Sequence, residues 1–486
     1  MSRDEYRKKI DRVDGKIQEL LEERFTLSKK IGTQKFQKGL PVKDGLRETA
    51  ILGRISGRFG EEIREIYRLI LQKSREIQKF AYFLTGKNLA HSFSPLVYEI
   101  FGLSNYGLFE TDDFREVLGK DFRAINVTNP HKRSAYLACT QLSEEARKTG
   151  TVNLMVRAGE GFFGDNTDYH GFLALLDHYG IVPQGKKFLV IGNGASARTV
   201  FHSLKERGAA AVQIIARNTK SADEAKLGEY RKFSDFEFVV NATPYGNYPE
   251  NALEPLFPLQ DFRNLEGAID LNYNPALTPL LREAKSCGAK TADGLYMLVA
   301  QAARNLARFG FSPEISISEV YREMRLHRAN IVLIGMPHSG KSTLGKALSE
   351  VLGKEFVDID QRLEARGRDL GSLYPDVEAF RKEEAEETIR HAKGWNQVIA
   401  CGGGIVLNPE AIAHLQGNGV LVFLDASLDE LLARLDGTRP LIQSEEDLVR
   451  TYRERINLYR RHADITVKTG TEIKEITEKI YEYFGN

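Results

Sequence analysis

Phe188-Leu-Val-Ile-Gly-Asn-Gly-Ala-Ser-Ala197 decides the middle of the fold, and Ile331-Val-Leu-Ile-Gly-Met-Pro-His-Ser-Gly-Lys-Ser342 decides its C-terminal part. Each is an apolar run of strand length, followed at once by a glycine turn and a helix-forming stretch. In the first, the spacing of Gly192, Gly194, Ala195 and Ala197 predicts a dinucleotide site. In the second, Gly335-x4-Gly340-Lys341-Ser342 is a full phosphate-binding loop, with Ser339 and Thr343 beside it. Its backbone amides cradle phosphates, Lys341 meets the outer ones and Ser342 ligates magnesium. A chain with both turns predicts a redox enzyme joined to a phosphotransferase.

At 486 residues the chain has room for roughly three domains. Its 42% apolar and 28% charged content is that of ordinary globular protein. No run approaches the ~18 apolar residues of a membrane span, and the start MSRDEYRKKI has no secretory apolar core. Cys139, Cys287 and Cys401 lack metal-ligand spacing, which predicts a reducing, cytoplasmic setting. Net charge is +1, yet residues 1–80 hold 20 Lys and Arg against 13 Asp and Glu. Such an excess reads as a nucleic-acid surface, a solvated face or a site for a small anion.

Residues 3–38 carry Ile10, Val13, Ile17, Leu20, Leu21, Leu27 and Ile31 at helical steps, with Gly39-Leu-Pro41 as the stop. Further helices are expected over 44–56 and 61–79. From Ala81 to about Arg325, short apolar strands alternate with helices, the pattern of an α/β domain. A second α/β section runs from about Ala329 to the end. No Pro-, Gly- or Ser-rich linker intervenes, so the domains should abut. The expected boundaries are 1–80, 81–326 and 327–486. The middle part divides into lobes near 81–180 (with the C-terminal helices) and 181–295.

In the first helix, Arg7 and Arg24 are 17 residues apart. That is about 25 Å along the axis and roughly 100° around it, so both cannot reach one small ligand from one straight helix. Arg24 and Lys35, 11 apart, are close to three turns and share a face. Arg7, Arg24, Lys35, Asp44, Arg47, Glu48, Ser74 and Gln78, in VKDGLRE and KSREIQ contexts, resemble the all-helical chorismate mutases over residues 3–80. The resemblance implies an intertwined homodimer of three-helix protomers, with Arg7 reaching the other protomer's site. Arg7 and Arg24 would clamp two carboxylates, Glu48 would hold the hydroxyl, and Lys35 with Gln78 would bond the breaking ether oxygen. The same helices also read as a non-catalytic dimerisation or sensing module.

Three clusters follow. His91-Ser-Phe-Ser-Pro95 puts two hydroxyls on one side if the segment is extended. Asn126-Val-Thr-Asn-Pro-His-Lys132 ends a strand with a lysine after a proline turn, and Gly164-Asp-Asn-Thr-Asp168 adds a carboxylate. Singly, each also reads as turn chemistry. In this order, with Thr151-Val-Asn153, Val240-Asn-Ala-Thr243 and Ala292-Asp-Gly-Leu…Gln301, they resemble shikimate dehydrogenase from about 81 to 325. The likeness implies a two-lobed α/β enzyme with a Rossmann-type NADP domain. Ser92, Ser94, Thr128, Asn153, Tyr273 and Gln301 would hold substrate, Lys132 and Asp168 would be the catalytic pair, and Gly294 would face the dinucleotide. Where an NAD enzyme carries an acid after the second strand, this chain has Arg217 and Lys220, which suit the 2′-phosphate of NADP(H). Ala216, Ser221 and Asn129 depart from the family pattern, as does a shortened stretch over 105–121.

After the phosphate loop come Asp358 and Asp360 in FVDID, read as alternate residues at a strand end, and Arg381 in AFRKEE. Gly402-Gly-Gly404, Arg439-Pro440 and Arg455 in RINLY complete a set that resembles shikimate kinase over 329–486. The resemblance implies an α/β P-loop domain using ATP and Mg2+. Asp360 would deprotonate the accepting hydroxyl, and Asp358 with Ser342 would hold the metal. Arg381 and Arg455 would grip a carboxylate on the floor Gly402, Gly403 and Gly404, and Arg439 would close on the phosphates. His338 departs from the small residue usual in this loop. Together the resemblances imply 3-dehydroshikimate, shikimate and chorismate as substrates, with no nucleic-acid or membrane partner.

Overall fold

The computed structural model describes residues 2–38, 40–365, 377–435 and 444–485. Gly39, expected to end the first helix, and Arg439, expected to close on phosphates, lie outside them. The chain divides into two compact units, residues 1–170 with 301–315 and residues 171–300 with 316–486.

In the first unit, the helices Arg3–Gln37, Gly45–Gly53 and Gly60–Ile77 come first. Ser2 and Glu5 cap each other's backbone amides at the start of the long helix. The second helix stops short of residue 56 because the Arg54 amide turns onto the Ile51 and Leu52 carbonyls. Gly32 lets the helices cross closely; a Cβ there would lie 2.7 Å from Gln78 Cα. The apolar stripe of the long helix is not covered: Ile10, Val13, Ile17, Leu20, Leu27 and Ile31 are 42–64% exposed.

A six-stranded mixed sheet follows in the spatial order Tyr106–Glu110, Tyr82–Gly86, Ala124–Val127, Leu154–Ala158, Gly161–Asp165, Gln141–Leu142. The first three strands are parallel, and the fourth runs antiparallel to both its neighbours. The helical segment docks on this sheet through Phe36. Its ring lies 5.0–5.5 Å from Phe80, Phe83 and Phe109, and the Lys120 ammonium sits 5.3 Å from its centroid. Asn105 donates to the Glu76 and Lys79 carbonyls, satisfying the end of the third helix.

The second unit holds two parallel sheets. The first runs Lys290–Asp293, Gly267–Asp270, Phe238–Asn241, Lys187–Ile191, Ala211–Ala216, Ala225–Lys226. Numbered along the chain this is 6-5-4-1-2-3, the doubly wound order, with the glycine turn leaving the strand at the reversal. The second sheet runs Glu355–Asp358, Gln397–Ala400, Asn330–Ile334, Gly419–Asp425, Ile465–Lys468, again with the phosphate loop leaving the central strand. The helix Ile317–Arg328 leads directly into Asn330–Ile334. Its end is held by Lys354, whose ammonium donates to the Leu326 and Ala329 carbonyls and to Asn396 Oδ1 at 2.7–3.1 Å. Among the described residues no helix is long and apolar enough to cross a membrane.

Phe36→Ala removes the ring that joins the N-terminal helices to the first sheet. For a half-buried phenylalanine the expected loss is about 2–3 kcal/mol. It should appear as a lower urea midpoint for the helical transition in far-ultraviolet circular dichroism, and an unchanged midpoint would contradict the docking role.

Candidate active site

In the first unit, three motifs that are far apart in sequence meet. The strand Ala124–Val127 runs through the Asn129-Pro130 turn into the helix Lys132–Ala138, so Lys132 opens that helix. Its Nζ lies 2.6 Å from Asp168 Oδ2, with both side chains only 13–14% exposed. Asn153 Nδ2 donates to Asp168 Oδ1 at 2.8 Å and to Thr167 Oγ1, while its Oδ1 accepts from the Thr167 amide. A charge-assisted pair at this depth holds both side chains in one orientation.

The network continues through residues that the sequence reading passed over. Thr167 Oγ1 donates to Asn305 Oδ1, and Asn305 Nδ2 donates to Gln301 Oε1 and to the Tyr98 hydroxyl. The Tyr98 and Tyr106 hydroxyls both donate to Asn126 Oδ1. Burial raises both phenols, so they remain donors. One signal was available for Asn305, which follows Gln301 by one helical turn on an apolar helix. Ser92 and Ser94 are not in an extended segment. Ser94 begins the helix Ser94–Ile100, and its amide donates back to Ser92 Oγ at 3.2 Å, so Ser92 lies at the start of that helix. Thr128 sits at the end of its strand, its amide bonded to the Thr85 carbonyl. Tyr273 belongs to the second unit.

At the dinucleotide turn, Gly192 has φ +105°, and a Cβ there would lie 2.8 Å from Thr243. Gly194 faces open space and begins the helix Ala195–Glu206 with no side-chain cap. Its first-turn amides are therefore available to a pyrophosphate, and the turn fits a dinucleotide. Gly294 is needed for packing as well, since a Cβ would lie 2.0 Å from the Leu271 carbonyl oxygen. Arg217 and Lys220 are exposed at the end of the second strand. Beside them Glu224, which the sequence reading missed, accepts from the Lys220 amide at 2.7 Å and from Asn193 Nδ2 at 2.8 Å.

The phosphate loop has the same open form. Gly340, at φ +93°, begins the helix Lys341–Leu352 without a side-chain cap. Lys341 Nζ donates to the Gly335 and Met336 carbonyls, which holds the ammonium over the loop. Ser339 Oγ is buried with no hydrogen-bond partner among the described residues, and a phosphate oxygen would supply one. Ser342 and Thr343 follow in the first turn. His338 takes a left-handed φ of +65°, an uncommon position for a side-chain-bearing residue. Asp358 and Asp360 do not share a strand: Asp358 ends it and caps the helix Ile359–Glu364 through the Gln361 amide, and Asp360 lies in that helix's first turn. Among the described residues no group of three or more His, Cys, Asp or Glu could hold a metal. Ser342 and Asp358 are oxygen donors of the kind Mg2+ takes, and would hold it together with a bound phosphate.

The glycine triplet is where the acceptor groups converge. A Cβ on Gly402 would strike the Glu384 carboxylate and lie 3.3 Å from Asp360 Oδ1, and one on Gly404 would strike the Arg381 guanidinium. Arg455 Nη1 donates to the Gly403 carbonyl at 3.0 Å, as does the Tyr459 hydroxyl. Glu384, also missed from sequence, pairs with Arg381 at 2.6 Å; burial raises its carboxyl against that guanidinium.

In the helical segment, Arg24 donates to Ser74 Oγ. Gln78 Oε1 is buried without a partner among the described residues. Lys35 donates to the Val42 carbonyl at 2.8 Å, and Glu48 pairs with Arg75 at 2.7 Å. Asp44 caps the second helix through the Arg47 amide. Arg7 is 60% exposed and pairs with Asp4 at 3.6 Å.

Residues 6–79 match the family Chorismate mutase type II, residues 84–155 the Shikimate dehydrogenase substrate binding domain, and residues 337–484 Shikimate kinase. A shikimate dehydrogenase (NADP(+)) of Stenotrophomonas maltophilia is 32% identical over 292 residues, covering 52% of this chain and 98% of that protein. One from Thermoplasma acidophilum is 33% identical over 219 residues, covering 44% and 79%. A solved chorismate mutase/shikimate 5-dehydrogenase fusion protein from Clostridium acetobutylicum is 30% identical and covers 51% of this chain and 97% of its own, with a TM-score of 0.46. The chain belongs to the shikimate dehydrogenase family and carries that enzyme fused between a type II chorismate mutase segment and a shikimate kinase segment.

Proposed function

We propose that this chain is a trifunctional cytoplasmic enzyme of aromatic amino-acid biosynthesis. It reduces 3-dehydroshikimate to shikimate with NADPH, phosphorylates shikimate with ATP and Mg2+, and rearranges chorismate to prephenate. The 2.6 Å Lys132–Asp168 pair, steadied by Asn153, carries the dehydrogenase reading. NADPH supplies the hydride. Lys132 delivers a proton to the carbonyl oxygen as it becomes a hydroxyl, and Asp168 fixes the ammonium toward it. Ser92, Ser94, Thr128, Asn153, Tyr273 and Gln301 hold the remaining substrate oxygens.

In the kinase segment, Asp360 takes the proton of the accepting hydroxyl, and Arg381 and Arg455 hold the substrate carboxylate above Gly402 to Gly404. Lys341 stabilises charge on the transferring phosphoryl group, with Arg439 as the lid cation. In the helical segment, Arg7 and Arg24 clamp two carboxylates while Lys35 and Gln78 donate to the ether oxygen. Such positioning and charge stabilisation accounts for the roughly 8 kcal/mol of a millionfold acceleration. The exposed stripe from Ile10 to Ile31 supports a homodimer, since a second copy would cover it and bring Arg7 to the site that its own helix cannot reach.

Assays of the purified full chain with each substrate test the reading directly. Lys132→Ala should lower kcat for NADP-linked shikimate oxidation by about 10²–10⁴-fold, the usual contribution of a general acid–base group. It should leave kinase turnover intact, and a wild-type rate in this variant would remove Lys132 from the mechanism.

Arg7→Ala and Arg24→Ala proteins should each lack mutase activity and regain it when refolded together, since one site of a mixed dimer keeps both arginines. Absence of recovery in a verified mixture would favour a non-catalytic helical module.

Glu224 places a carboxylate beside the cations proposed for the 2′-phosphate. Glu224→Gln should lower KM for NADP roughly three- to tenfold, the scale of about 1 kcal/mol from one screened charge, and leave KM for NAD unchanged. Parallel shifts for both dinucleotides would show that Glu224 does not discriminate between them.

A further inference from the structure

We propose that the kinase segment forms the outer wall of the loop 272–277 and thereby positions Tyr273 for the dehydrogenase. The inference rests on the reading of Tyr273 as a substrate-contacting residue. From its own domain the loop is held at its ends by Asp270, which accepts from the Asn272 amide at 3.0 Å and from Thr278 Oγ1 at 2.7 Å. Asn272 Nδ2 also donates to the Thr243 and Tyr245 carbonyls, and the Tyr248 amide donates to the Asn274 carbonyl at 2.8 Å. Further bonds to residues 273–277 come from the kinase segment and the helix that leads into it. Asn418, at the end of the kinase helix Pro409–Asn418, donates to Asn274 Oδ1 at 2.6 Å and accepts from the Ala276 amide at 2.8 Å. The Leu277 amide donates to the Gly417 carbonyl at 2.9 Å. Gly417 is small where it meets Pro275; a Cβ would touch the proline ring at 3.4 Å.

Arg328 approaches from the other direction. It is the last residue of the helix Ile317–Arg328 and leads into the strand that feeds the phosphate loop. Its Nη1 donates to the Tyr273 carbonyl at 2.9 Å and pairs with Asp293 Oδ2 at 2.7 Å, with both side chains under 10% exposed. One guanidinium thus ties the Tyr273 loop to the Asp293-Gly294 turn. A buried pair of this kind tolerates little displacement, because either charge left alone would be strongly disfavoured. Buried backbone amides likewise need their partners, so removing Asn418 leaves part of the loop unsatisfied.

The test uses the full chain. Asn418→Ala alters none of the groups proposed for kinase chemistry, so its kinase kcat and KM for ATP should match wild type. KM for shikimate in the dehydrogenase direction should rise roughly tenfold, within the hundredfold that an ångström of misplacement can cost. In a Tyr273→Phe background the same substitution should add less than about twofold, because both changes act through one side chain. An unchanged KM in Asn418→Ala, or a full tenfold effect persisting without the Tyr273 hydroxyl, would overturn the proposal. If Asn418→Ala loses both activities, Arg328→Lys decides, since it keeps the charge and loses the fork. A raised shikimate KM with normal kinase turnover supports the wall, and an unchanged KM overturns it. Hydrogen exchange at the Ala276 and Leu277 amides separates this idea from the functional reading. If wild type does not oxidise shikimate, that reading fails, yet faster exchange in Asn418→Ala would still support the wall and unchanged exchange would refute it.

Discussion

Among the described residues two α-helices begin at a glycine whose first-turn amides no side chain caps, Ala195–Glu206 and Lys341–Leu352. Elsewhere the sequence supplies caps freely, as at Ser143, Thr278, Asn408 and Ser444. Glycine in place of such a cap costs only a few tenths of a kcal/mol, so the fold can leave these helix starts open at little expense. Both open starts leave the central strand of a parallel sheet, where the strand order reverses and helices diverge to leave a crevice. The nucleotide sites therefore follow from one constraint: phosphate must complete the hydrogen bonding that the fold leaves undone. The remaining groups in each α/β section are arranged around those two ends.

Charge is handled in the opposite way, by pairing before any ligand arrives. Lys132 with Asp168 and Arg328 with Asp293 are shielded from water and in direct contact, and Arg381 meets a Glu384 carboxylate that is itself buried. Desolvation makes an unpaired ion at such depth costly, so each pair fixes its members' orientation. Asn153 bonds Asp168 and Thr167 at once, and the glycine triplet gives Arg381 and Asp360 room that any side chain would fill. Rigid presentation of polar groups is what both hydride and phosphoryl transfer demand.

The helical segment is built differently. It has little core of its own, with Leu71 and Phe80 its buried large apolar residues among those described, and it leans on the first sheet through Phe36. Most of its long stripe faces outward, whereas the α/β sections bury their strands on both faces. Lys354 seals the helix that enters the kinase sheet, and Asn105 seals the helix that precedes the first sheet.

Much of this was legible beforehand because glycine turns, strand runs and helical stripes are local patterns, set by backbone geometry and side-chain period. The two strand–turn–helix units and the three N-terminal helices could be read within a few residues for that reason. Local pattern misled where a turn could form in two ways: the extended form considered for Ser92 and Ser94 gives way to a helix that begins at Ser94, and Asp360 follows a strand rather than lying on it. Asn305, Glu384, Glu224 and Asn418 left almost no trace, because a single polar residue on a helix or loop looks solvated until its distant partner is known. The sequence by itself determined the order of the three segments and the two phosphate turns, since those depend on neighbours within a dozen residues. Only the tertiary structure decided which polar groups are buried together and how the kinase helix meets the Tyr273 loop, because hydrogen bonds between residues more than a hundred positions apart exist only once the sheets have packed.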